Sequence, residues 1–165
     1  MAIEHSEIDI TQLIEDSLRI VTPKAEQESI TLVSDLSHPV RVMADKRAMT
    51  QVLLNLLSNA VKFTGDGGEI RISLTSDEHA HKVVIADTGV GIPAEHLEKL
   101  GRPFAQFENQ LTKSHRGSGL GLAISRSLVA LHGGKLTIDS AMGQGTTVSF
   151  TLPLEPVISE RSETA

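Results

Sequence analysis

The 165 residues, 39% of them hydrophobic, are enough for one packed core and leave little room for a second, so one domain over 1–153 is expected. A formal charge of -6 argues against nucleic-acid binding, which needs a dense basic face, and the absence of cysteine excludes disulfides and thiolate chemistry. No apolar run reaches the ~18 residues of a membrane helix, and Met1 is not followed by the pattern of a signal peptide, so no membrane contact by this piece and a cytoplasmic setting are expected.

Ser6 to Ile10 reads as a short strand, and Ile10, Leu13, Ile14, Leu18 and Val21 then recur at helical spacing to about Glu28, with Pro23 expected to kink or interrupt the helix. Ile30 to Leu36 and Val40 to Ala44 alternate as two strands, and the turn residues Ser37 to Pro39 between them predict a hairpin. Asp45 is positioned as an N-cap for a long helix from Lys46 to Phe63, whose apolar face is Met49, Val52, Leu53, Leu56, Ala60 and Phe63. Gly65, Gly67 and Gly68 end it.

Glu69 to Thr75 alternates, whereas Lys82 to Ala86 is a nearly continuous β-branched run that predicts a strand buried on both faces. From Asp87 to Ser118 there is no period except a short helical piece at Ala94 to Leu100, and so long an irregular stretch in a compact domain predicts a functional loop or lid. Helical spacing resumes from Leu120 to Leu131 and stops at Gly133 and Gly134. Lys135 to Asp139 and Thr146 to Leu152 predict a last hairpin around Gly143 to Gly145, and 154–165 reads as a flexible tail.

Four groups of residues carry chemistry. Asn55, Asn59 and Lys62 fall in one stripe bordering the apolar face of their helix; amide oxygens are hard ligands suited to Mg²⁺, and Lys62 can neutralise phosphate. A solvated helix edge would carry the same residues. Asp87-Thr88-Gly89-Val90-Gly91-Ile92-Pro93 puts a carboxylate at a strand end, able to accept from an exocyclic amine, with glycines that allow close backbone approach. A plain strand-to-loop turn is the alternative. Gly117-Ser118-Gly119-Leu120-Gly121-Leu122 opens a helix with backbone amides free to cradle phosphate, though it has neither the Walker A nor the dinucleotide spacing. Gly143-Gln144-Gly145-Thr146-Thr147 is by itself an ordinary hairpin turn.

In this order, with Phe104 and Phe107 between the second and third, the groups resemble the N, G1, F, G2 and G3 boxes of the ATP-binding catalytic domain of sensor histidine kinases. The wider superfamily holds the gyrase, chaperone and mismatch-repair ATPases. The resemblance runs from about Ile8 to Pro153, and Gly101 to Thr112 with Gly117 to Gly134 looks similar to alphaproteobacterial cell-cycle kinases of the PleC and DivJ type. It implies a two-layer α/β sandwich, the Bergerat fold: a mixed sheet of about five strands covered on one face by three helices, holding ATP and Mg²⁺.

Carried over by position, Asn59 is implied as the Mg²⁺ ligand with Asn55 in support, and Lys62 as a phosphate contact. Phe63 would flank the nucleotide, Asp87 would read adenine beside Gly89, Gly91 and Ile92, and Phe104 and Phe107 would lie on the lid. Gly117, Gly119, Leu120, Gly121 and Leu122 would hold phosphate, Thr146 and Thr147 would close the base pocket, and Lys113, His115 and Arg116 would approach the γ-phosphate. Where the hydrolysing ATPases carry a general-base Glu, this chain has Asn55, and an amide cannot accept a proton near neutral pH. Kinase chemistry is favoured over hydrolysis. None of the seven histidines lies in a phospho-acceptor pattern, so the implied partners are a histidine-bearing dimerisation domain and a downstream response-regulator receiver domain. A regulatory nucleotide-binding scaffold without phosphoryl transfer is the alternative. His79 and His81, on a loop without a third ligand, are read as solvated rather than metal-binding.

Overall fold

The computed structural model describes residues 2–36, 38–90, 119–141 and 143–154, with backbone alone at Gly119 and Leu120. The helix expected at Ala94 to Leu100, the F-box phenylalanines and the tail beyond 154 lie outside the described residues.

The chain opens with β1 (Ser6–Asp9), whose last residue caps α1 (Ile10–Gln27) by accepting the Gln12 amide at 3.0 Å. One face of α1, including Ile10, Leu13, Ile14, Val21 and Ala25, enters the core. Pro23 does not interrupt the helix, which continues through it to Gln27; the proline sits in the last two turns, where only one backbone bond is forfeited.

β2 (Thr31–Asp35) and β3 (Arg41–Ala44) do not form the expected hairpin. β2 pairs in parallel with β4 (Glu69–Ser76), and β3 pairs antiparallel with β1, with Ile8 opposite Val42. The cause lies in a buried hydroxyl. Thr11 Oγ1 donates to the His38 carbonyl at 3.2 Å and accepts the Val40 amide at 3.0 Å, while Ile10 N donates to Val40 O at 2.9 Å. The start of α1 therefore takes up the polar groups of the turn and leads β3 toward β1, leaving β2 to find a partner by crossover.

Asp45 accepts the Ala48 amide at 3.0 Å and starts α2 (Lys46–Thr64), which buries Met49, Val52, Leu53, Leu56, Leu57, Ala60 and Val61. β4, β5 (Ala80–Asp87), β6 (Leu136–Ser140) and β7 (Thr146–Pro153) complete a five-stranded mixed sheet of order β2-β4-β5-β7-β6, with α3 (Gly119–Leu131) packed alongside α2. The three helices cover one face of the sheet, as expected, over a core that includes Ile70, Ile72, Val83, Ile85, Leu136 and Phe150. β5 is not buried on both faces. Val83 and Ile85 are buried whereas Val84 and Ala86 are only half-buried, because among the described residues the opposite face of the sheet carries no helix.

His132, at the end of α3, is 3% exposed and was unremarked among seven histidines in the sequence. Its Nδ1 donates to the Leu128 carbonyl at 2.7 Å, which leaves Nε2 to accept the Asp45 amide at 3.0 Å. The ring thus ties α3 to the start of α2, and the second Asp45 oxygen takes the Glu4 amide at 2.8 Å. Those backbone bonds, the one from Glu4 foremost, hold the Asp45 carboxyl below its usual range. We expect His132→Ala to destabilise the domain by about 2–4 kcal/mol, read from urea unfolding, because it leaves a half-buried amide and a buried carbonyl unpaired and opens a void.

Candidate functional site

Asn55, Asn59 and Phe63 are half-buried along one edge of α2, beside the buried Leu56 and Ala60, and Lys62 is exposed at its last turn. The edge is therefore a boundary between core and solvent, not a fully solvated surface. Asn55 Nδ2 donates to the Gly121 carbonyl at 3.4 Å and to Ser125 Oγ at 3.3 Å, fastening α2 to the first turns of α3. Eight residues farther on, about 12 Å along the axis, Phe63 reaches the loop after β5.

Period-two alternation puts Asp87 on the same face of β5 as Val83 and Ile85, so its carboxylate enters the helix-covered layer at the strand end. Its Oδ1 accepts the Gly89 amide at 2.8 Å and the Thr146 amide at 3.3 Å; among the described residues Oδ2 takes no partner. Burial raises the Asp87 pKa, and the two backbone donors pull it the other way.

Three segments lock this carboxylate in place. Thr146, buried, stands directly opposite Asp87 in the β5–β7 register. The Val90 amide donates to Phe63 O at 3.4 Å, and the Gly143 amide to Val90 O at 2.7 Å. Thr88 exchanges bonds with Glu69, its amide donating to Glu69 O at 3.1 Å and its Oγ1 accepting the Glu69 amide at 3.0 Å. A β-carbon at Gly89 would overlap Phe63 O and crowd Thr64 Cα, so this glycine is required by helix-to-loop packing as well as by any ligand.

The structure thus brings Asn55, Phe63, Asp87, Gly89, Gly121 and Thr146 onto one helix edge and its two ends, with Asn59 and Lys62 between. Two expected residues do not join them. Leu122 is a buried core residue, and Thr147, paired with Ala86, stands on the sheet face away from the helices. Gly119 and Leu120 form the start of α3, where first-turn amides have no helical acceptor. Gly91, Ile92, Phe104, Phe107, Lys113, His115, Arg116 and Gly117 lie outside the described residues. The residue that sequence reasoning missed is Ser125, which accepts from Asn55; its place one turn beyond Gly121 on the same face of α3 was the available signal.

The donor set suits a triphosphate better than a bare protein metal site. Among the described residues no three His, Cys, Asp or Glu side chains converge, so a divalent ion here needs amide oxygens supplemented by ligand oxygens, as Mg²⁺ on phosphate does. The half-buried Asp87 carboxylate with an open oxygen fits an exocyclic amine.

The profile described as "Histidine kinase-, DNA gyrase B-, and HSP90-like ATPase" matches residues 44–156. The Non-motile and phage-resistance protein of Caulobacter vibrioides is 42% identical over 158 residues, covering 93% of this chain and 19% of that protein. Histidine protein kinase DivJ of the same organism is 40% identical over 147 residues, covering 88% of this chain and 24% of DivJ. The chain therefore spans a quarter or less of these relatives. Among solved structures, the nucleotide-free catalytic domain of histidine kinase ThkA aligns with a TM-score of 0.81 at 29% identity, over 93% of this chain and all of that one. Full-length ShkA in complex with AMPPNP aligns with a TM-score of 0.81 at 28% identity, over 95% of this chain and 32% of ShkA. ThkA in complex with the response regulator TrrA aligns with a TM-score of 0.77 at 27% identity, over 92% of this chain and 42% of ThkA.

Proposed function

We infer that this chain, which belongs to the histidine kinase-, DNA gyrase B- and HSP90-like ATPase family and within it to the histidine-kinase catalytic domains, binds ATP with Mg²⁺ and positions its γ-phosphoryl group for a histidine on a dimerisation domain. The observation that carries this reading is Asp87: a half-buried carboxylate, oriented by two backbone amides, with one oxygen open on the helix-covered side of the sheet. That ShkA, of the same fold, is held with AMPPNP supports it.

Asp87 accepts the exocyclic amine of adenine, and Gly89 and Thr146 keep the carboxylate in that orientation. Asn59 offers its amide oxygen to the metal, Asn55 supports it, and Lys62 offsets phosphate charge from the last turn of α2. The opening amides of α3 face anionic oxygen with the positive end of a helix dipole behind them. When bound, Mg²⁺ supplies charge neutralisation on the phosphates. The chain itself contributes positioning and electrostatics. Asn55 cannot deprotonate water, so the isolated domain should turn over little.

The partners we propose are the parent kinase's histidine-bearing domain and a response-regulator receiver, the latter supported by the ThkA complex with TrrA. Among the described residues no helix is long and apolar enough to cross a membrane, and we place the domain in the cytoplasm on the analogy of its relatives. Calorimetry with ADP tests the site: Mg²⁺ should tighten binding to the parent chain, and Asn59→Ala should remove most of that gain. Equal Mg²⁺ dependence in the two proteins would refute the assignment. Transfer of labelled phosphate to an added histidine-bearing domain, with little phosphate released in its absence, separates a kinase from a scaffold and from a self-sufficient ATPase.

A further inference from the structure

We propose that Ser125 is a positioning residue that orients the amide of Asn55; the proposal rests on the nucleotide and Mg²⁺ reading above. Ser125 is 0% exposed, and its hydroxyl bonds across to another helix: Asn55 Nδ2 donates to Ser125 Oγ at 3.3 Å. The same nitrogen donates to the Gly121 carbonyl at 3.4 Å. Gly121 and Ser125 are four residues apart, so both acceptors lie on the face of α3 that meets α2.

A carbonyl oxygen can only accept, which fixes which branch of the Asn55 amide faces α3. Because the amide group is planar, its oxygen is then directed away from the Gly121 carbonyl. Asparagine alone is indifferent to a flip of this group, since both branches have nearly the same shape. The Gly121 carbonyl removes that freedom, and the Ser125 hydroxyl, which can serve either branch, holds the amide against α3 in the orientation so fixed, so the acceptor oxygen is not reordered at the moment of binding. The pair also ties the amide to the helix whose opening amides would hold phosphate, coupling the metal-supporting group to the anion-holding one.

The test is a double-mutant cycle on the Mg²⁺-dependent gain in ADP affinity. Ser125→Ala should reduce that gain by about fivefold, as expected for loss of one hydrogen bond, with metal-free ADP affinity unchanged. Asn55→Ala should reduce it at least as much, and Asn55→Ala with Ser125→Ala should lose no more than Asn55→Ala alone. Additive losses, or a Ser125→Ala loss equal with and without Mg²⁺, would overturn the positioning role while leaving the nucleotide reading intact. A parent chain whose ADP affinity ignores Mg²⁺ would overturn both. An independent readout needs no ligand: the Asn55 side-chain amide protons should exchange with solvent faster in Ser125→Ala, and unchanged exchange would defeat the proposal.

Discussion

Asp87→Asn is expected to weaken ADP by about 10–100-fold, the ~1.5–3 kcal/mol of a hydrogen bond to a charged group, while making the ligand-free domain more stable. Both effects come from one environment. Burial raises the carboxyl's pKa, which means the folded domain resists its ionisation. The folded state therefore holds a proton that the unfolded state has released, and native stability falls as pH rises from the ordinary carboxylate value through the raised one. Asparagine keeps an oxygen for the Gly89 and Thr146 amides but carries no charge. The gain in melting temperature over the parent should be full above that window and vanish below the ordinary carboxylate value. A variant less stable than the parent at neutral pH would show that ionised Asp87 is stabilising, against this account.

Gly145→Ala is expected to destabilise the domain by more than about 3 kcal/mol, and Gly143→Ala, two residues earlier in the same turn, by only about 1–2 kcal/mol. Both glycines have φ of +78°, so both variants suffer the left-handed strain of an L-residue. At Gly143 nothing lies within 4 Å of the added carbon. At Gly145 it would overlap the Asp87 carbonyl, which is backbone at the end of the central strand, held by its pairing with Thr146. Urea unfolding of the two variants checks this, and equal losses would show that overlap with Asp87 contributes nothing. Any Gly145→Ala protein that folds should also lose nucleotide affinity, because the displaced carbonyl belongs to the residue that reads the base.

Much of this was legible in the sequence, and the omissions share a cause. The α2 boundaries followed from Asp45 as cap, the 3.6 period and the glycines after Thr64, all local signals. The order of glycine motifs gave the resemblance to histidine-kinase domains, which the family profile bears out. The partner of β2 was misread because turn residues at Ser37 to Pro39 report a change of direction and not a pairing; Thr11, on a preceding helix, decides where the chain goes next. Likewise Gly143 to Thr147 looked like any hairpin turn, since the demand on Gly145 comes from Asp87, far back along the chain. Asn55 and Ser125 are 70 residues apart, and His132 finds Asp45 across 87. A pattern within one segment cannot register such contacts.

The sheet order has a consequence for how the protein is made. β7, which follows the other strands of this sheet along the chain, sits between β5 and β6, so until Thr146–Pro153 has emerged from the ribosome the inner edges of both neighbours are bare and Asp87 has no Thr146 amide to orient it. Translation as far as β6 should therefore yield a chain waiting for its keystone, exposed to chaperones and proteases, and competence to hold nucleotide should arrive abruptly with β7.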